Sequence, residues 1–163
     1  MSRVFDSVRS SCQRKNQHMK ILIVEDLTQS RWMLRALLET QGHTIIETGD
    51  GLEALAVLER EPVDDVISDI FMPNMDGYLL CYEVRRSERL RVMPFIFYTG
   101  TFTLASDRKL GHEVGADVYV TKPARLPVLL KALADAQRKA SGRRGAPKLR
   151  AKVATMSRHS PSR

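Results

Sequence analysis

Lys20-Ile21-Leu22-Ile23-Val24-Glu25-Asp26 is the stretch that decides the fold. Four apolar residues run without a break and then stop abruptly at two carboxylates. A short continuous apolar run reads as a strand buried on both faces, which is the signature of a parallel sheet covered by helices. The same punctuation returns downstream. Thr44-Ile-Ile-Glu47, Asp65-Val-Ile-Ser-Asp69, Pro94-Phe-Ile-Phe-Tyr98 and Val118-Tyr-Val-Thr121 are four further strands. Between them lie helical stripes: Met33, Leu34, Leu37 and Leu38 in Arg31–Thr40; Leu52, Leu55 and Leu58 after an Asp50 cap; then Tyr78–Arg85 and Leu104–Val114. Leu126, Leu129, Leu130 and Leu133 form a last stripe. Five strands alternating with five helices predict an α/β fold with a doubly wound, five-stranded parallel sheet, (βα)5.

Composition sets the outer limits. The chain has 163 residues, 43% hydrophobic and 28% charged, as expected of a globular domain. Two cysteines, Cys12 and Cys81, are too few for a disulfide framework or a Cys-based zinc site. No apolar run approaches the roughly 20 residues of a membrane-spanning helix, and the N-terminus lacks the apolar core of a secretory signal. A cytoplasmic location is the expectation. The net charge of +7 is unevenly spread. Residues 1–20 carry five basic and one acidic residue, residues 21–135 carry 12 basic and 18 acidic, and residues 136–163 carry nine basic and none acidic. A mildly acidic domain between two basic tails is therefore expected. Residues 1–18 would form a basic N-terminal extension, and residues 139–163 a basic, disordered tail or linker.

In an open parallel sheet, ligands bind off the carboxyl ends of the strands. Those ends hold Glu25-Asp26, Gly49-Asp50, Asp69, Thr99 and Lys122. Glu25, Asp26 and Asp69 brought together would repel one another unless a cation sat among them, and oxygen-only ligands favour a hard ion such as Mg2+. Lys122 adds a point charge and Thr99 a hydroxyl, a set able to stabilise a phosphoryl group in transfer. A carboxylate can itself be the nucleophile.

The order Ile21-Leu-Ile-Val-Glu-Asp26, Ser68-Asp-Ile-Phe-Met-Pro-Asn-Met-Asp-Gly77, Tyr98-Thr-Gly100 and Val120-Thr-Lys-Pro123 resembles the receiver domain of bacterial two-component response regulators, including the chemotaxis regulators. The resemblance covers about residues 19–138 and implies a flavodoxin-like sheet of strand order 2-1-3-4-5, which would close Glu25, Asp26 and Asp69 into one pocket. It implies Asp69 as phosphoacceptor and Asp26 as a direct Mg2+ ligand. Glu25 would act through a metal-bound water, and Phe71 through its backbone carbonyl. Lys122 would bind phosphate. Thr99 and Tyr119 would be the switch pair, with Tyr119 moving between outward and inward rotamers. It further implies a histidine kinase or histidine phosphotransfer protein as donor, an unidentified protein target, and room for a homodimer. There would be no enzymatic output beyond the domain's own phosphorylation and dephosphorylation. No output domain is visible, so the sequence reads as a stand-alone receiver or as the receiver fragment of a larger sensor kinase or cyclase.

Two other classes stand beside this one. A nucleic-acid binder acting through the basic tails would show steep salt dependence, and the tail is in any case expected to attract polyanions weakly. A flavodoxin-type enzyme would want a phosphate-cradling loop where Glu25-Asp26 stands. A haloacid-type phosphatase would want an aspartate two residues past its nucleophile, where Asp69 has Phe71 and Asp26 has Thr28.

Overall fold

In the computed structural model, residues 17–101 and 103–144 are described. Strands β1 (Lys20–Val24), β2 (Thr44–Thr48), β3 (Asp65–Ser68), β4 (Phe95–Thr99) and β5 (Val118–Thr121) alternate with helices α1 (Thr28–Glu39), α2 (Gly51–Arg60), α3 (Gly77–Arg86), α4 (Ala105–Glu113) and α5 (Leu126–Arg143). The strands form one parallel sheet in the order β2-β1-β3-β4-β5. The order reverses at β1, which lies between β2 and β3, so the loops after β1 and β3 meet over the crevice.

The continuous apolar runs follow from double coverage. Successive strand side chains point to opposite faces. Leu22, Val24, Val66, Phe95 and Phe97 pack with Ala54, Val57 and Leu58 of α2 and Leu80, Cys81 and Val84 of α3. Ile21, Ile23, Ile67, Ile96 and Val120 pack on the other face with Leu34 and Leu38 of α1 and Leu129, Ala132, Leu133 and Ala136 of α5. Cys81 is a small buried side chain in this core.

Several helix expectations need correction. The stripe of α2 is not Leu52, Leu55 and Leu58. The buried face is Gly51, Ala54, Val57 and Leu58, and Leu52 is 53% exposed. At about 100° per residue, Leu52 lies about 150° round from the centre of that face. Met33 of α1 is likewise exposed, since Leu34 and Leu38 set the contact line and Met33 falls about 100° off it. Helix α1 starts at Thr28 rather than Arg31, its first turn closed by Arg31 N–H donating to the Leu27 carbonyl at 3.0 Å.

Helix α5 runs to Arg143, past the limit of about 138 that the resemblance implies, with Ala140 buried. Its end is pinned by a buried ionic cluster at the amino ends of the strands. The Asp117 carboxylate receives Arg85 Nη2 at 3.1 Å, Arg143 Nη2 at 2.9 Å, the Phe95 amide at 2.9 Å, and Arg143 Nη1. The expected tail segment 145–163 and extension segment 1–16 lie outside the described residues.

Candidate functional site

The site is built by three strand ends. Val24 ends β1 and Ser68 ends β3 in adjacent register, so Glu25-Asp26 and Asp69 leave the sheet side by side. Thr121 ends β5 and delivers Lys122. Oxygen atoms of Glu25, Asp26 and Asp69 all lie within 4.8 Å of one another. Lys122 Nζ reaches across the sheet to Asp69 Oδ2 at 3.1 Å and to Glu25 Oε2.

Each carboxylate is also held locally. The Leu27 amide donates to Glu25 Oε1 at 3.1 Å, and the Ile70 amide to Asp69 Oδ1 at 2.7 Å. Gly77 lets the following loop close on Asp69: a Cβ there would run into the Asp69 carbonyl and lie 2.9 Å from Ile70 Cα. Any side chain at 77 would therefore displace the backbone that carries Asp69.

Electrostatics follow from burial and charge count. Burial raises the Glu25 carboxyl above its usual range; the hydrogen bond from Lys122 opposes this, and the Asp69 charge adds to it. For Lys122, burial alone would lower the ammonium, but Glu25 and Asp69 outweigh it and push it up, so Lys122 stays charged. Three carboxylates face one ammonium, an excess of two negative charges. All-oxygen donors with surplus negative charge fit a hard divalent cation such as Mg2+.

The other expected residues are placed unequally. Thr99 ends β4 fully buried; its Oγ1 accepts the Thr101 amide at 3.4 Å, and its carbonyl accepts the Lys122 amide at 2.9 Å. Tyr119 is turned inward, 7% exposed, its ring edge-on to Phe97 with centroids 5.9 Å apart. The Phe71 ring is 69% exposed, leaving only its backbone near the acidic loop. Gly49-Asp50 does not join the cluster. Asp50 caps α2 by accepting the Glu53 amide at 2.9 Å and holds Asn74 at 2.7 Å. The sequence reading missed Arg31, whose Nη1 donates to the Glu25 carbonyl at 2.6 Å while Nε pairs with Glu47 at 3.6 Å. Only its place on the first turn of α1, beside the acidic pair, could have hinted at that.

A 2-1-3-4-5 sheet with an acidic cluster and a lysine at its carboxyl edge is the architecture of a receiver module. The response regulator receiver domain family matches residues 21–134, and the chain belongs to that family. It is 38% identical over 107 residues, 66% of this chain and 43% of the relative, to a probable transcriptional regulator ycf27 of Porphyridium aerugineum. The chemotaxis response regulator CheY4 of Vibrio cholerae superposes with a TM-score of 0.68 at 31% identity, covering 74% of this chain and 99% of that one. The receiver domain of the sensor histidine kinase PA1611 of Pseudomonas aeruginosa, with a magnesium ion coordinated in its active-site cleft, gives 0.67 at 30% identity, covering 77% and 99%. The chain spans less than half the length of the first curated relatives it matches. Receiver domains are signalling modules of two-component systems and bind Mg2+ in their acidic site. Among the described residues no helix is long and apolar enough to cross a membrane.

Proposed function

We propose that this receiver accepts a phosphoryl group on Asp69 from the phosphohistidine of a histidine kinase or histidine phosphotransfer protein. The observation that carries the reading is Lys122 Nζ bridging Asp69 and Glu25 inside a cluster of three carboxylates. An Asp69 carboxylate oxygen attacks phosphorus, the P–N bond breaks, and the donor imidazole leaves with the electron pair. Lys122 passes from its carboxylate partners to a phosphoryl oxygen and keeps its proton throughout. The Ile70 amide holds Asp69 Oδ1, which leaves Oδ2, the oxygen beside Lys122, as the attacking atom. Asp26 and Asp69 would hold Mg2+ directly, Glu25 through a water, and Phe71 through its carbonyl. When bound, the ion offsets the charge of the phosphoryl oxygens.

Thr99 and Tyr119 form the switch. Phosphorylation draws the Thr99 hydroxyl towards the phosphoryl group and selects the Tyr119 position compatible with it, a population shift rather than a new fold. The receiver occupies 19–138 with α5 continuing beyond it, works in the cytoplasm, and acts by changing protein contacts rather than as an enzyme on an external substrate.

The test is intact mass after incubation with Mg2+ and acetyl phosphate. Wild type gains one phosphoryl group and Asp69→Asn gains none, because an amide is a far poorer nucleophile. Equal labelling of both removes Asp69 from the role.

A further inference from the structure

Tyr119 sits on β5, an edge strand, and is 7% exposed, its ring packed into the core beside Phe97. Little apolar packing covers it from α4. The one fully buried residue of that helix is Gly111, which has no side chain to offer. A Cβ at 111 would stand 2.8 Å from Tyr119 Cδ2 and 3.2 Å from Phe97 Cδ2, so the ring occupies the space that any other residue would fill. What α4 supplies instead is polar. The Arg108 guanidinium carbon lies 5.2 Å from the Tyr119 ring centroid. The same group donates from Nη2 to Thr121 Oγ1 at 2.5 Å and from Nη1 to the Tyr119 carbonyl at 3.4 Å. From the opposite side, α3 supplies Tyr78, its ring edge-on to Phe97 at 5.4 Å and its hydroxyl donating to the Asp107 carbonyl of α4 at 3.4 Å.

We infer that Arg108 is a positioning residue, a strap from α4 that holds Tyr119 in its inward rotamer before any phosphorylation. A planar, forked guanidinium is suited to such a hold, because its face covers a ring while its edge donates to a hydroxyl and a carbonyl. Because Thr121 directly precedes Lys122, the strap also ties α4 to the strand end that carries the lysine. The hold belongs to the unphosphorylated protein. Only its consequence for signalling rests on the proposed switch role of Tyr119.

Aromatic NMR of the full chain tests it, with the Tyr119–Phe97 ring NOE and the Tyr119 ring shifts as readouts and the melting temperature as control. Arg108→Ala is expected to lower the inward-to-outward ratio about fivefold, the combined effect of a surface cation–π contact and a charge-assisted hydrogen bond. Thr121→Val, which keeps the shape and removes the acceptor, is expected to lower it about twofold. Arg108→Lys should fall between wild type and Arg108→Ala. If Arg108→Ala does not fold, Thr121→Val and Arg108→Lys carry the test. Unchanged NOEs and shifts in folded Arg108 and Thr121 variants would overturn the proposal and leave Arg108 a solvated surface residue. Repeating the series in Asp69→Asn separates the two readings. A strap independent of phosphorylation gives the same shifts there, whereas a failure of the phosphoacceptor reading shows only in the mass assay.

Discussion

The two ends of the sheet carry the same chemistry in opposite balance. At the carboxyl end, Glu25, Asp26 and Asp69 face Lys122, three carboxylates against one cation. At the amino end, Asp117 meets Arg85 and Arg143, with Asp65 buried nearby. The first cluster keeps surplus negative charge and half-buried oxygens open to a ligand. In the second, two guanidiniums and a backbone amide already fill the only carboxylate that is paired. Surplus charge marks a site that waits for a partner, whereas a satisfied pair marks one that holds structure.

That contrast can be broken by mutation. Asp117→Ala should have the largest effect, destabilising the fold by about 3–5 kcal/mol in urea unfolding, because it strands two arginines in a buried setting. A loss below about 1 kcal/mol would show the cluster to be a solvated surface pair. Asp65→Asn sharpens the picture through pH. Asp65 is fully buried, and among the described residues neither oxygen has a hydrogen-bond partner. The Val66 amide and Gln137 lie close enough to ease its ionisation but not in hydrogen-bond geometry.

Burial first, then the Asp117 charge, raises its carboxyl well above the usual 3.8. The folded state therefore keeps a proton that the unfolded chain has lost. The stability this contributes is complete below the unfolded value and is lost as pH rises through the folded one. Asp65→Asn should abolish that slope above pH 3.8, because the amide does not titrate, and should raise stability at neutral pH, where the wild-type carboxyl is penalised by the linkage. A variant whose pH–stability curve keeps the wild-type slope would assign it to another group. At the other end, Asp26→Asn should leave stability within about 0.5 kcal/mol. It should weaken Mg2+ binding by at least about tenfold in calorimetric titration. Undiminished affinity would take Asp26 out of the ligand set.

The two ends were not equally legible. Glu25, Asp26, Asp69, Thr99 and Lys122 could be read because each follows or ends an apolar run, and a parallel sheet gathers such residues at one edge. Asp117, Arg85 and Arg143 come together only through tertiary packing, from positions 26 and 32 residues apart with no shared spacing. The strands were plain because burial on both faces removes polar residues from them. The helix faces were not, because Leu52 and Met33 look like core residues until the strand contacts fix which side faces in. Asp50 sat at a strand end like the others, yet its carboxylate was taken by the first turn of α2 and by Asn74.

The anchoring of Arg143 at the amino end has an electrostatic corollary. Helix α5 runs for 18 residues from the Lys122 loop to that anchor, a rise of about 27 Å. Arg143 thus stands about three screening lengths from the Lys122 loop at physiological ionic strength, where each length is about 8 Å. Paired with Asp117 at that distance, it adds little to the potential at Asp69, and the metal affinity of the pocket is left to the charges that line it.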